Sequence, residues 1–196
     1  MNTKKGFTLL ELLIVIGILA ILSTTIVLVI NPAELLAKAR DSQRISDLNT
    51  LKTAIAFYLT ESAAPEITDG THTSYCYFDD VECDVGKSVG EPSQKVNGDG
   101  WIPIEFNLMP GGSPISVLPI DPVNKLDGHF YYVYFADQAK LTFKLIANME
   151  SKYYGTEEAT RVVDKDGGQI PTLYEVGTDL ILGPEARTAS CFGVLP

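Results

Sequence analysis

Basic residues are scarce in this chain of 196: 15 Lys and Arg stand against 25 Asp and Glu, for a net charge of −10. Neutralising a phosphate backbone takes clustered Lys and Arg, so the balance argues against nucleic acid as a partner of the isolated chain. Histidine and cysteine are scarcer still, with two and three copies. A structural zinc site usually takes four Cys or His ligands, and only His72 and His129 are there to join the cysteines. There is no G-x-S-x-G elbow and no H-E-x-x-H, and the acids are too numerous to single out a catalytic pair. A cysteine nucleophile with His129 has nothing to position it. No internal repeat is present. The chain reads as non-catalytic, one globular domain preceded by a helix.

Charge is most conspicuously missing from one stretch. Between Phe7 and Ile30 Glu11 is the only charged residue, and Lys4 and Lys5 stand just before it. About two dozen apolar residues at ~1.5 Å each cover the ~30 Å of a bilayer's hydrocarbon core. A secretory signal has a shorter apolar core, ~7–15 residues, ending at small residues of the A-x-A type. Here Ile18 stands two positions before Ala20 and the run continues through Ile21 and Leu22. The expectation is a membrane-spanning helix, with Lys4 and Lys5 holding the N-terminus in the cytoplasm. A carboxylate inside such a segment costs roughly 2.5–3.5 kcal/mol at the bilayer centre and less near the interface, so Glu11 calls for a partner.

Lys5-Gly-Phe-Thr-Leu-Leu-Glu11-Leu-Leu-Ile-Val-Ile16 resembles the class III signal and N-terminal helix of type IV pilins and of the pseudopilins of type II secretion. The resemblance implies cleavage between Gly6 and Phe7 by a prepilin peptidase and methylation of the new amine. It implies that Glu11 pairs with the amino terminus of a neighbouring subunit during assembly. An ammonium created at Phe7 in the same low-dielectric layer favours the ionised carboxylate. The fold implied is α+β, the pilin fold: a long kinked N-terminal helix, its first half transmembrane, packed on a small antiparallel sheet. The partners implied are the peptidase, other pilin or pseudopilin subunits in a helical polymer, an inner-membrane assembly platform, and membrane lipid before assembly. The location implied is the cytoplasmic membrane as precursor and an extracytoplasmic filament once assembled. The rival reading is a permanently membrane-anchored extracytoplasmic binding protein, which keeps Lys4 and Lys5.

Four segments follow: a leader over 1–6, a transmembrane and polymerisation helix over 7–30, an amphipathic helix over 31–61, and a loop region with an antiparallel sheet over 62–196. Pro32 lacks an amide hydrogen and clashes with the carbonyl of Leu28, which predicts a kink rather than a stop. Ile45, Leu48, Leu51, Ile55 and Tyr58 or Leu59 recur at helical spacing. Lys38, Arg40, Asp41, Arg44, Asp47 and Lys52 make up the polar remainder.

Residues 62–100 are polar and rich in Gly, Ser, Asp and Pro, and read as loop. Trp101–Leu108 reads as an edge or strand-like connection containing Pro103. His129–Phe135 and Leu141–Ala147 read as strands joined by a hairpin at Asp137-Gln138, and one further short strand is expected near Tyr174. Outside the cytoplasm disulfides are permitted: Cys76 pairs with Cys83, or Cys191 with either, and one thiol is left over.

Leu118-Pro-Ile-Asp-Pro122 before an aromatic strand resembles a loop that carries calcium in major pseudopilins. Val123-Asn-Lys125 departs from the aromatic-Gly-Asn that usually follows. Asp164, Asp166 and Glu175 meet positions 1, 3 and 12 of an EF-hand loop, but Gly168 and Gln169 miss positions 5 and 6. No metal or other cofactor is assigned on these patterns, and calcium is the one to test.

Overall fold

The computed structural model describes residues 6–70, 74–76, 86–88, 93–125 and 127–182, without the side chains of 26–30, 74–76 and 86–88. Helix α1 spans Leu9–Ile30 and α2 spans Pro32–Glu61. Strands β1 (Ser74–Cys76), β2 (Gly86–Ser88), β3 (Val133–Asp137), β4 (Thr142–Asn148) and β5 (Leu173–Gly177) form one sheet in the order β2-β1-β3-β4-β5. A short helix α3, Lys152–Gly155, lies between β4 and β5. The architecture is α+β.

Where a kink in one helix is expected, the structure has a break. Asn31 adopts φ 43°, ends α1 and begins α2. Asn is one of the few residues that tolerates the left-handed region. It places Pro32 in the first turn of α2, where a missing N–H is no loss.

Leu48, Leu51, Ala54, Ile55 and Tyr58 form the buried stripe of α2, while Ile45 and Leu59 are only partly covered. The stripe packs against Tyr132, Tyr134 and Ala136 of β3 and its lead-in, and Phe143, Leu145 and Ala147 of β4. The opposite face of the sheet buries Tyr131, Val133, Phe135, Ile146 and Leu173. Both faces being covered, β4 carries Lys144 inward as well, where its Nζ meets Glu175 of β5 at 2.9 Å.

Three sequence expectations need correction. Trp101–Leu108 is no edge strand: Trp101, Ile102, Ile104 and Phe106 are all buried, and Phe106–Leu108 forms a 3-10 turn. Pro103 removes a ladder donor from its middle, and its apolar side chains fill the core instead, with Trp101 Nε1 donating to the Pro119 carbonyl at 3.1 Å. Strand β3 begins at Val133 rather than His129, because Gly128 (φ 82°) and His129 (φ 54°) form the left-handed tip of a turn closed by Lys125 and Phe130. A Cβ at Gly128 would stand 2.5 Å from the Phe130 ring. Finally, 62–100 is not all loop, since β1 and β2 lie within it and β1 pairs antiparallel with β3.

The Asp137 hairpin is stabilised locally, Asp137 Oδ1 accepting from the amides of Ala139 and Lys140 at 2.9 and 3.2 Å. Leu51 is fully buried between α2 and the sheet. Leu51→Ala is expected to cost about 2–5 kcal/mol of unfolding free energy, read by urea titration of the full chain in detergent.

Candidate processing and assembly site

Gly6, Phe7 and Thr8 precede α1 without helical structure, and all three are exposed. The bond between Gly6 and Phe7 is therefore outside the hydrogen-bonded helix and open to a protease. Phe7 is 83% exposed.

Thr8 caps the helix. Its Oγ1 accepts from the Glu11 amide at 3.2 Å, and Glu11 Oε2 accepts from the Thr8 amide at 2.9 Å and from the Thr8 hydroxyl at 2.8 Å. This reciprocal capping box satisfies donors that a helix start otherwise leaves open, and a negative charge there complements the helix dipole. Both bonds fall on Oε2. Oε1 takes no part in the cap. Thr8 is the residue missed at the sequence level, although Thr-x-x-Glu ahead of an apolar run is the signature of this cap.

Beyond the cap the helix offers almost nothing polar. From Leu9 to Leu22 its large apolar side chains are between 46% and 83% exposed. Ser23, Thr24 and Thr25 donate their hydroxyls back to the carbonyls of Leu19, Ala20 and Leu22 at 2.7, 2.9 and 2.8 Å. Such back-bonding is what lets hydroxyls enter an apolar medium. The 22 residues of α1 measure about 33 Å at 1.5 Å per residue. Its described side chains end at Thr25, and among the described residues no helix is long and apolar enough to cross a membrane.

Residues 1–27 match the family model of the prokaryotic N-terminal methylation motif. They carry the class III signal of type IV pilins and pseudopilins. The motif covers Gly6 and Phe7, the capping box and most of α1, and it points to a structural protein rather than an enzyme. No curated protein and no solved structure matches the chain.

The remaining candidates fall elsewhere. Lys4, Lys5, Cys83, Cys191 and the side chain of Cys76 lie outside the described residues. Asp164, Asp166 and Glu175 do not converge as ligands. Asp164 pairs with Arg161 at 2.7 Å, Asp166 accepts from the amides of Gly168 and Glu175 at 2.8 and 2.7 Å, and Glu175 faces Lys144. Burial holds the Asp166 carboxyl above its ordinary range. Among the described residues no group of three His, Cys, Asp or Glu is arranged to hold a metal.

Asp121, the acid of the loop likened to a calcium loop, is also committed. Its two oxygens accept from Nε and Nη2 of Arg44 at 2.6 and 2.9 Å, and Oδ1 also accepts from the amides of Val123 and Asn124 at 2.8 and 3.2 Å. Arg44 is fully buried, as is Asp41, which meets it at 2.7 Å. The polar remainder of α2 thus holds two residues that belong to the core. Burial opposes the charged guanidinium, but its bonds to Asp121 and Asp41 outweigh that and hold it above its ordinary pKa.

Glu150 closes the cluster, paired with Arg40 and 3.5 Å from Arg44. The Arg40 hydrogen bond holds its carboxyl below the ordinary range. A depressed folded-state pKa stabilises above the unfolded value and is lost as pH falls through the folded one. Unfolding midpoints measured from pH 7 to pH 3 should show Glu150→Gln below the wild type at neutral pH and converging with it in acid. Parallel curves would show that Glu150 does not contribute through its charge.

Proposed function

We propose that the chain is the precursor of a non-catalytic subunit of a type IV pilus-like filament. It is cut after Gly6, methylated on Phe7, held in the cytoplasmic membrane by α1 and assembled through that helix. The observation that carries the reading is the methylation motif over residues 1–27 on a helix whose apolar surface its own chain leaves bare. Moving one such side chain out of water is worth roughly 1.5–3 kcal/mol. A helix bare over this length needs lipid before assembly and other helices after it.

The outward face of α2 favours the same reading. From Leu35 to Thr60 every exposed residue is uncharged, among them Leu36, Ala39, Ser46, Thr53 and Phe57. Its charges turn toward the domain instead: Glu34 accepts from the Tyr153 amide at 3.2 Å and Lys38 lies 4.2 Å over the Tyr153 ring. Helices packing on that face desolvate no charge. Contacts repeated by rotation and rise then give an open fibre rather than a closed ring.

In the fibre Glu11 accepts the methylated Phe7 amine of a neighbour, fixing axial register. The test separates this pairing from capping. Glu11→Gln keeps a side-chain acceptor for the Thr8 amide, whereas Glu11→Ala keeps neither acceptor nor charge. Both variants should insert and be cleaved normally, and both should enter sheared filaments at least about tenfold less than wild type, the effect of losing ~1.4 kcal/mol. Normal incorporation of Glu11→Gln would contradict the charge pairing.

A further inference from the structure

Arg44 gathers carboxylate oxygens from three residues. Asp121 presents both oxygens, Asp41 presents Oδ1 at 2.7 Å, and Glu150 presents Oε2 at 3.5 Å. These come from α2, from the 118–125 loop and from the end of β4, three segments far apart in sequence. Hard carboxylate oxygens are the donors that calcium takes, but with Arg44 among them these three acids are not arranged to hold a metal. The Phe130 ring closes the last side, 4.9 Å from the guanidinium carbon.

We propose that the Arg44 guanidinium is the resident cation of this loop, doing the work that a bound calcium ion would do. The five N–H groups of a guanidinium suit it to a carboxylate gripped at both oxygens, as Asp121 is here. The distances leave no room for a metal beside it, since calcium takes oxygens at ~2.3–2.6 Å and the guanidinium nitrogens already stand at 2.6–2.9 Å from those of Asp121. Asp41 ties the centre to the next element: its oxygens accept from the amides of Glu150 and Ser151 at 2.9 and 2.7 Å, which starts α3. The domain's corner is therefore fixed by a charge encoded in α2 and needs no ion from outside. This holds whether or not the chain assembles into a filament.

The experiment is thermal unfolding of the full chain in detergent, in 2 mM EGTA and in ~1 mM free calcium, conditions that expose tight binding by mass action. Wild type should melt within about 1 °C in the two buffers. Arg44→Ala should melt about 10 °C lower in EGTA and recover about half of that in calcium, which enters at the freed Asp121 and Asp41 beside Glu150, still paired with Arg40. The double variant Arg44→Ala with Asp121→Asn should lose the recovery. Wild type rising by about 5 °C or more in calcium would overturn the proposal, and so would a folded Arg44→Ala indifferent to calcium. Should Arg44→Ala not fold in either buffer, Arg44→Gln, which retains more of the side chain's bulk, is put through the same comparison and read the same way.

Discussion

A buried guanidinium is tolerable only when acceptors surround it, and Arg44 is the point from which the rest of the domain is fixed. Removing water from such a charge costs several kcal/mol. Asp121, Asp41 and Glu150 offset that cost, and in doing so they bind α2 to the 118–125 loop and to the start of α3. The aromatic layer follows from the same placement. Phe130 stacks on Arg44, and Tyr132 donates its hydroxyl to Asp47 at 2.9 Å one turn along the helix. Burial pushes the Tyr132 hydroxyl up and keeps it a donor there. Apolar contacts along α2 supply most of the adhesion, while the ion cluster sets its register on the sheet.

The two helices then divide the labour. α2 directs its apolar stripe and most of its charges toward the domain, so the face it shows outward from Leu35 to Thr60 is neutral. The described side chains of α1, from Leu9 to Thr25, are all exposed. One left-handed residue, Asn31, separates a helix that is satisfied within its own chain from one that is not. The unsatisfied helix has its one acidic residue at the cap, beside the bond that processing would cut. Cleavage there would remove Lys4 and Lys5 with the leader and replace a peptide with an ammonium near a carboxylate that already has one oxygen bonded.

How much of this was legible in the sequence depends on the range of the interaction. Local patterns read well: Leu48, Leu51, Ile55 and Tyr58 are buried at the spacing that marks them, and the Asp137 hairpin sits where its turn residues lie. The capping box was equally local and equally legible, yet Thr8 drew no notice beside Glu11. What the sequence hid depends on distant partners. Arg44 and Asp41 resemble any surface pair three residues apart on a helix, and only Asp121, 77 residues on, makes them core. Trp101–Phe106 shows strand-like composition, and its role as irregular core is set by the sheet it packs against. β1 and β2, three residues each, are too short to announce themselves among glycines and serines.

The role proposed for α1 turns on whether the first six residues are lost. The intact mass and N-terminal sequence of the protein extracted from its native membrane decide this directly. A processed filament subunit is expected as a single species beginning at N-methylated Phe7, with a mass lower by residues 1–6 and higher by one methyl group. A species beginning at Met1 would contradict it and make the helix a permanent anchor, and a start beyond Ala20 would mean that the apolar run is a secretory signal.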